Sequence, residues 1–422
     1  MSLFPEPRCF LPFFLVQFLS AANDNLFKNA VALLVIYRLD GAAGFSPQVA
    51  VSLGAGLFIL PFFLLSAWGG LLADHFPKRL IIRWTKSGEA AVAMLAAWSL
   101  TQASLSGMMT ALFLMGCKSA CFGPVKYAVL PELLKPSDLV RGNALVESAT
   151  FLAILVGTIT GGLLVLRPNG TAEVGGLMLV LAALGVVAAF LVPSAGRAET
   201  GGRLSFNLPR LGWQAFGFLR HGDGLLGASL GISWFWFLGA TFLAQFPALA
   251  KLVLGADERA VTLMLTMFAL GVGGGAALGG LLLKRIAAPR LGHGAALAMG
   301  LLCCHLGLVE AQAPAADFLA FLARPSSWRV LGELLGIAVC GGVFVLPLYI
   351  RLQRHSDSAS RSRVVGANNI LNALFMVASA LVSAAALGAG GMVPGLILGI
   401  GGATVSGALA KGLRYRNAAA RK

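Results

Sequence analysis

Charged side chains lie inside the first long apolar run of the chain, which extends from Phe10 to Tyr37. About 20 apolar residues are enough to cross a bilayer, and a charge at membrane depth costs roughly 2.5–3.5 kcal/mol on insertion scales. The run nevertheless contains Asp24 and Lys28, whose i,i+4 spacing puts them on one helix face, where they can partly neutralise each other. This pattern predicts either a buried pair that fixes helix packing or a polar substrate site inside a transporter.

Amide side chains surround this pair, and further charges stand in later apolar runs. Asn23 and Asn25 flank Asp24 in the sequence. Lys118 lies deep in a fourth apolar run, and Glu147 lies inside the start of a fifth. A buried ammonium attracts phosphate, which lysine binds as a point charge. Lys118 is therefore either a phosphate ligand or a scaffold residue that neutralises a helix acid, for which Asp24, Glu89 and Glu147 are the candidates.

Lys86 and Glu89 are spaced i,i+3 near the start of the third apolar run. The spacing predicts an ion pair near the inner membrane interface, with the lysine stem lying along apolar surface. A structural role is the favoured interpretation of this pair.

The composition is that of a polytopic membrane protein. The chain has 422 residues, of which 58% are hydrophobic and 12% charged, and its mean hydropathy is +0.83. Soluble domains average about 25% charged residues. The formal charge of +15 comes from basic residues in short loops between apolar runs, which is the pattern of a topology signal and not of a nucleic-acid-binding protein.

No enzyme signature accompanies this composition. The five histidines and six cysteines match no metal-ligand spacing, and Gly273-Gly274-Gly275 has no preceding strand, so it is not a nucleotide-binding loop. We therefore expect a protein that is not an enzyme and that carries no metal or cofactor.

Hydropathy predicts an all-α membrane protein of about 12 transmembrane helices. An excess of basic residues in alternate loops places both termini in the cytoplasm. The predicted domains are an N-terminal six-helix bundle (1–192), a cytoplasmic linker (193–223) and a C-terminal six-helix bundle with a short basic cytoplasmic tail (224–422). The piece Arg203–Arg220 is interpreted either as a segment on the inner leaflet or as a plain flexible linker. The predicted spans are approximately 10–37, 48–73, 80–103, 107–130, 141–166, 174–192, 224–249, 260–283, 292–311, 330–350, 365–388 and 393–411.

The two halves resemble each other weakly. In each half a helix end that contains Pro and Tyr leads through a basic loop to a helix that opens with Gly and Asn: Gly123–Tyr127 precedes Arg141–Ala144, and Pro347–Arg351 precedes Val365–Asn369. Parallel halves of this kind are the architecture of the major facilitator superfamily. Glycines spaced four apart, at Gly157/Gly161 and Gly271/Gly275/Gly279, predict close helix packing.

The segment Gly69–Arg79, between the second and third spans, resembles the cytoplasmic loop signature of the same superfamily. The resemblance implies a gating latch, in which Asp74 accepts hydrogen bonds from Arg79 or from a neighbouring helix terminus. The alternative is a simple turn with a solvated charge pair.

Several segments together resemble the lysophospholipid transporter branch of this superfamily. They are Asn23-Asp24-Asn25, the Pro-x-Lys-Tyr end at Pro124–Tyr127, and Asn143–Ser148 in the fifth span. Gly366–Leu374 also resembles the versions fused to an acyltransferase and acyl-carrier-protein synthetase. The residues that match the branch pattern are Asp24, Asn25, Lys126, Glu132, Asn143 and Glu147.

This resemblance implies a flippase that works by alternating access in the bacterial inner membrane. It would move lysophosphatidylethanolamine, with lysophosphatidylglycerol as a second candidate, from the outer to the inner leaflet, where a cytoplasmic acyltransferase partner would restore the diacyl lipid. A monomer among membrane lipids is expected. The expected substrate-binding residues are Asp24, Asn25, Lys28, Lys118, Asn143 and Glu147. The expected gating or structural residues are Asn23, Asp74, Arg79, Lys86, Glu89, Lys126, Tyr127, Glu132, Asn368, Asn369 and Asn372.

The substrate chemistry agrees with these residue types, because the lipid head needs an ammonium for its phosphate and an acid for its amine. Lys28 or Lys118 fits the first role, and Asp24 or Glu147 the second. Two other functions stay open from the sequence. One is a proton-coupled carrier of another small amphipathic solute or drug, since such carriers depend on a membrane acid. The other is a membrane-embedded assembly or sensor protein that transports nothing.

Overall fold

The computed structural model describes residues 5–38, 47–194, 207–221, 224–313, 315 and 317–420. Fifteen α-helices and one π-helical turn (Leu249–Val253) make up the regular structure of these residues, and twelve of the α-helices have 19 residues or more. They are α1 (Pro7–Tyr37), α2 (Pro47–His75), α3 (Lys78–Thr101), α4 (Leu105–Ala128), α5 (Leu130–Leu133), α6 (Leu139–Val165), α7 (Gly170–Leu191), α8 (Leu208–His221), α9 (Leu225–Ala248), α10 (Glu258–Leu282), α11 (Ala288–Leu306), α12 (Phe318–Leu322), α13 (Pro325–His355), α14 (Arg361–Gly388) and α15 (Val393–Ala420).

The twelve long helices correspond one to one to the predicted spans, so the predicted fold class is confirmed. Within the described residues, nine of them are long and apolar enough to cross a membrane. The other three are α1, α3 and α11. In α3 the Lys, Arg and Glu side chains lower the hydropathy. The fold buries Lys86 and Glu89 of that helix, which hydropathy alone does not show.

The helices form two compact units. One comprises Met1–Leu230 with Ile350–Ala373, and the other comprises Gly231–Tyr349 with Leu374–Lys422. The first unit therefore also contains the end of α13 and the start of α14. The division into two bundles at 193–223 stays a prediction.

The predicted linker is helical over α8, where Leu211, Ala215 and Leu219 are buried at i,i+4 spacing. A plain flexible linker is therefore the wrong description of residues 208–221. The predicted linker residues Arg197 and Arg203 lie outside the described residues, as do Arg421 and Lys422 of the predicted basic tail.

Glycines bring helices of the first unit into close contact. A Cβ on Gly157 of α6 would collide with the carbonyl oxygen of Ala22 in α1, and one on Gly161 would lie 2.5 Å from the carbonyl oxygen of Leu26. In the second unit, Gly275 of α10 leaves no space for a Cβ against Val339 of α13. Both predicted glycine seams are confirmed. The first of them fixes α1, which carries the charged residues, against α6.

Candidate functional site

Four charged side chains form one buried network in the first unit. They come from three helices: Asp24 from α1, Lys86 and Glu89 from α3, and Lys118 from α4. All four are less than a tenth exposed. A group of charges in such surroundings is tolerated only when its members are paired and hydrogen-bonded.

Lys118 lies at the centre of this network. Its Nζ is 2.7 Å from Asp24 Oδ1, donates to Glu89 Oε2 at 2.9 Å and donates to Ser20 Oγ at 2.7 Å. Two of the three N–H donors of the ammonium are thus used in hydrogen bonds, and Asp24 adds an ion pair. The geometry therefore supports the scaffold interpretation of Lys118.

The remaining contacts complete the network. Lys86 Nζ donates to Glu89 Oε2 at 2.9 Å, as the i,i+3 spacing predicted. Lys86 is buried among α3, α4 and α7, so its stem does not lie along an exposed apolar surface as expected. Gly185 of α7 leaves the space that its Nζ occupies. Ser119 Oγ donates to Asp24 Oδ2 at 3.0 Å, and Ser20 Oγ donates to Glu89 Oε2 at 2.7 Å. Two carboxylates thus face two ammonium groups, and the charges balance.

Lys28 is not part of this charge-balanced network. Lys28 forms no direct ion pair with Asp24, which pairs with Lys118 instead, although the charges of Lys28 and Asp24 still attract each other. Lys28 Nζ instead lies over the ring of Phe58, 4.5 Å from its centroid, and it makes no ion pair or hydrogen bond with another described residue. Its side chain lines a cavity of about 170 Å³ whose other walls are the apolar residues Val31, Ala32, Ala50, Val51, Gly54, Ala55, Met109 and Leu112. Lys28 is therefore a cation inside the first unit without a partner acid among the described residues.

The amides of α1 differ in their bonding. Asn25 donates to the carbonyl of Ala21 in its own helix at 2.7 Å, and Asn29 donates to the carbonyl of Thr158 in α6 at 2.7 Å. Asn23 is fully buried, and its amide makes no hydrogen bond with any described residue. Because buried polar groups are nearly always bonded, Asn23 is a candidate to contact a bound molecule.

A second polar cluster surrounds Glu147 of α6. Tyr127 of α4 donates its hydroxyl to Glu147 Oε1 at 2.5 Å. The neighbouring Lys126 donates to Thr150 Oγ1 at 2.8 Å and lies 5.0 Å from the Tyr127 ring centroid. Thr150 in turn lies 3.0 Å from the side-chain oxygen of Gln17 in α1. The predicted residues Lys126, Tyr127 and Glu147 thus meet in one place, separate from the charge network.

Asp74 makes the contact with a neighbouring helix terminus that the sequence offered as one of two alternatives. Its Oδ1 accepts from the backbone N–H of Ser362 at 3.1 Å, and its Oδ2 accepts from Arg363 Nε at 2.9 Å. Arg79 is exposed, so the pairing of Asp74 with Arg79 is wrong. Arg363 also lies over the ring of Phe218 in α8, at 4.7 Å.

Asn143 of α6 forms a reciprocal amide pair with Gln353 of α13, with N···O distances of 2.7 and 2.8 Å. This full pairing suits a structural contact better than the predicted substrate contact. We call the two links together, Asp74 with Ser362/Arg363 and Asn143 with Gln353, the clasp. Both join the first unit's early helices to its segment 350–373.

The other predicted residues lie near the clasp. Glu132 of α5 pairs with Lys78 at 2.5 Å. Asn369 approaches α4 so closely that a Cβ on Gly123 would strike its amide. Asn368 is fully buried and makes no hydrogen bond with a described residue. Asn372 is buried as well.

Sequence reasoning did not select several residues that these sites use. They are Ser20 and Ser119 in the charge network, Gln17 and Thr150 beside Lys126, and Gln353 and Arg363 in the clasp. Ser20 had a usable signal, because it precedes Asp24 by four residues and so shares its face. For Arg363 the sequence offered no signal other than its position in a basic loop.

Long apolar helices that bury an ionic network define a class, the multi-pass membrane carriers. The chain belongs to the Major Facilitator Superfamily, which matches residues 13–380. Among curated relatives, "Lysophospholipid transporter LplT" of Photorhabdus laumondii is 28% identical over 343 residues, covering 80% of this chain and 78% of the relative. The protein of the same name from Cronobacter sakazakii is 28% identical over 359 residues, covering 84% and 81%.

Solved structures agree on the fold. The human organic anion transporter MFSD10 (TETRAN) superposes with a TM-score of 0.75 at 17% identity, covering 96% of this chain and 99% of that one. The proton:xylose symporter XylE superposes with a TM-score of 0.71 at 13% identity, covering 94% of each chain. At these identities the likeness concerns the fold alone.

Proposed function

We propose that the protein is a lysophospholipid transporter of the bacterial inner membrane. It moves lysophosphatidylethanolamine, and lysophosphatidylglycerol as a second substrate, from the outer to the inner leaflet by alternating access. The observation that carries this proposal is the alignment with relatives named lysophospholipid transporter over about four fifths of both chains. A cytoplasmic acyltransferase/acyl-carrier-protein synthetase then restores the diacyl lipid, and the transporter works as a monomer with both termini in the cytoplasm.

The first unit supports this substrate through Lys28. A phosphate buried in a membrane protein requires a cation that is not already neutralised. Lys118 and Lys86 are neutralised by Asp24 and Glu89, whereas Lys28 makes no direct ion pair with a described residue and is attracted by Asp24 only at longer range. Its cavity walls are apolar, which suits the glycerol backbone and the start of an acyl chain. We therefore assign the head-group phosphate to Lys28 and leave Lys118 a structural role.

The proposal is tested by uptake of labelled lysolipids into proteoliposomes that contain the purified protein. We expect protein-dependent movement of both lysolipids to the opposite leaflet. Lys28→Gln should lower the rate for both by about tenfold, because both carry the phosphate. Lys284→Gln is the matched control, since Lys284 is exposed in the turn after α10, and it should transport normally.

Two results would contradict the proposal at different points. If the wild-type protein moves no lysolipid, the substrate assignment fails. If Lys28→Gln transports like the wild type, only the role of Lys28 fails. Proton-coupled uptake of another solute by a protein that moves no lysolipid would favour the alternative carrier.

A further inference from the structure

The second unit contains a cavity of about 560 Å³ where three chain segments end. Ligand pockets in proteins typically have volumes of about 300–1,000 Å³, so this cavity can hold a small molecule or a lipid chain. Its walls come from the end of α9, the segment after α11 and the connection from α14 to α15. The lining residues are Ala248, Leu252, Val253, Val309, Glu310, Ala311, Leu387, Gly391, Met392, Val393 and Pro394.

The wall on the α9 side has an unusual backbone that is held in place. After Pro247, α9 continues as one π-helical turn, Leu249–Val253. The carbonyl of Val253 accepts from Gln312 N–H at 2.7 Å, and the carbonyl of Gly255 accepts from Ala315 N–H at 2.7 Å. These bonds fix the segment after α11 against the turn. Single π-helical turns inside helices occur frequently at functional sites. The volume of the cavity and the π-helical turn in its wall are therefore two separate reasons to treat this position as a candidate site.

The lining combines apolar walls with one charge. Val253, Val309 and Val393 are buried, whereas Leu252 and Met392 are largely exposed at the rim. Glu310 is the one charged side chain among the lining residues, and it makes no ion pair or hydrogen bond with another described residue. A carboxylate beside an apolar cavity complements a cationic group attached to an apolar chain.

We propose that this cavity binds single-chain amphiphiles whose head carries an ammonium group, with the chain against the valine walls and the ammonium at Glu310. The physiological ligand rests on the proposed function: it is the ethanolamine lysolipid, which the cavity selects over the glycerol lysolipid because only the former has an amine. In the predicted topology α9, α11 and α14 all run outward. The three wall segments, which follow these helices, therefore lie on the outer side. The site would therefore receive substrate from the outer leaflet.

The test is photolabelling of the full chain in nanodiscs of zwitterionic lipid. The probe is a lysophosphatidylethanolamine with a diazirine in its tail, and labelled peptides are identified by mass spectrometry. We expect labels in the peptides that contain Leu252 and Met392. Hexadecylammonium should compete for them, and hexadecyl sulfate should not. Glu310→Gln should lower this labelling about fivefold, the size expected for one partly exposed charge pair.

Two variants serve as comparisons. Glu173→Gln removes an exposed carboxylate of the first unit, at the start of α7, and should leave labelling unchanged. Ala248→Phe fills the cavity without changing its charge and should abolish labelling at both peptides. Labelling that is absent from the wild type, or equal in wild type and Glu310→Gln, overturns the site.

Transport in the same preparation separates this inference from the proposed function. Labelling that depends on Glu310 in a protein that moves no lysolipid would refute the proposed function and support an ammonium-amphiphile site. Normal lysolipid transport without labelling at Leu252 and Met392 would refute the site and leave the proposed function standing.

Discussion

At the scale of single residues, the ammonium of Lys118 pairs with two of the buried acids. It forms ion pairs with Asp24 and Glu89 and donates to Ser20, so α1, α3 and α4 are joined through one nitrogen. A lysine used in this way cannot be exchanged for a neutral residue without leaving Asp24 without an ion-pair partner in an apolar interior, although Glu89 keeps Lys86. The charge pattern of the sequence therefore has a structural part, to which Lys118 belongs.

Lys118→Met should destabilise the protein by about 3–5 kcal/mol, because Asp24 and Glu89 lose their shared partner. The double variant Asp24→Asn/Lys118→Met should recover part of this loss, since it removes the acid that has lost its ion-pair partner, while Glu89 keeps its pair with Lys86. Unfolding in detergent measures both. The control Lys284→Met removes an exposed lysine and should unfold like the wild type. A Lys118→Met protein of wild-type stability would contradict the network.

The partly buried carboxyl of Glu132, after the end of α4, predicts that the stability of the protein depends on pH. Burial raises the pKa of its carboxyl above the ordinary value of 4.5, although Lys78 opposes this shift. A raised folded-state pKa stabilises the folded protein at low pH. This stabilisation is fully present below pH 4.5 and is lost as the pH rises through the folded-state pKa. Glu132→Gln has no such proton to lose. Between about pH 4 and pH 7, the melting temperature of Glu132→Gln should therefore fall less than that of the wild type. This range of roughly three pH units begins near the ordinary pKa of Glu.

That prediction is checked by melting curves at matched salt concentration. Glu173→Gln is the control, because its carboxylate is exposed and its removal should leave the wild-type slope. Equal pH slopes for wild type and Glu132→Gln would contradict it.

The sequence predicted contacts within one helix better than contacts between helices. The Lys86–Glu89 pair follows from i,i+3 spacing, and the structure confirms it. The Asp24–Lys28 pair follows from the same kind of rule and is wrong, because Lys118 of another helix reaches Asp24. Local spacing describes which groups share a face, but not which neighbouring helix competes for them. The partner of Asp74 was left open for the same reason.

At the scale of elements, the fit of α6 on α1 positions the charged helix. Gly157 and Gly161 bring the α6 backbone against the carbonyls of Ala22 and Leu26, one turn from Asp24. Their four-residue spacing made the seam predictable, whereas its partner helix was not. Most ends of the long helices were also predictable to within a few residues, because the change from apolar to polar side chains marks them. The end of α15 was not: it lies at Ala420 and the predicted span ends at 411.

Gly157→Ala should destabilise the protein by about 1–3 kcal/mol, the usual cost of overpacking, because the added methyl collides with the Ala22 carbonyl. Gly88→Ala in α3 is the control, since a Cβ there meets nothing within 4 Å. That change should be neutral or stabilising by up to about 1 kcal/mol. In detergent, the melting temperature of Gly157→Ala should be lower than that of the wild type, and that of Gly88→Ala should be equal to it or higher. A Gly157→Ala protein as stable as Gly88→Ala would show that α1 and α6 are less tightly packed.

At the scale of the whole molecule, the distribution of basic residues is the feature that bears on orientation. The predicted inner loops contain several times as many Lys and Arg residues as the predicted outer loops. Such a bias sets the orientation of membrane helices because basic loops are retained on the cytoplasmic side. It follows from composition alone and needs no knowledge of packing.

Membrane orientation is tested with cysteines at two exposed turns. Asn169→Cys lies between α6 and α7, and Arg285→Cys lies between α10 and α11. An impermeant maleimide should label Asn169→Cys on intact cells and Arg285→Cys only after permeabilisation, with the unmodified protein as the background for native cysteines. The reverse order of labelling would contradict cytoplasmic termini.

The clasp joins the same parts of the first unit by two chemically different links. Acid protonates Asp74 and weakens its contact with Arg363, and concentrated salt screens it. The paired amides of Asn143 and Gln353 have no proton to gain and no charge to screen. Acid or concentrated salt would therefore loosen one of the two links and leave the other, so the segment 350–373 would stay attached to the early helices of the first unit under conditions that separate a purely ionic contact.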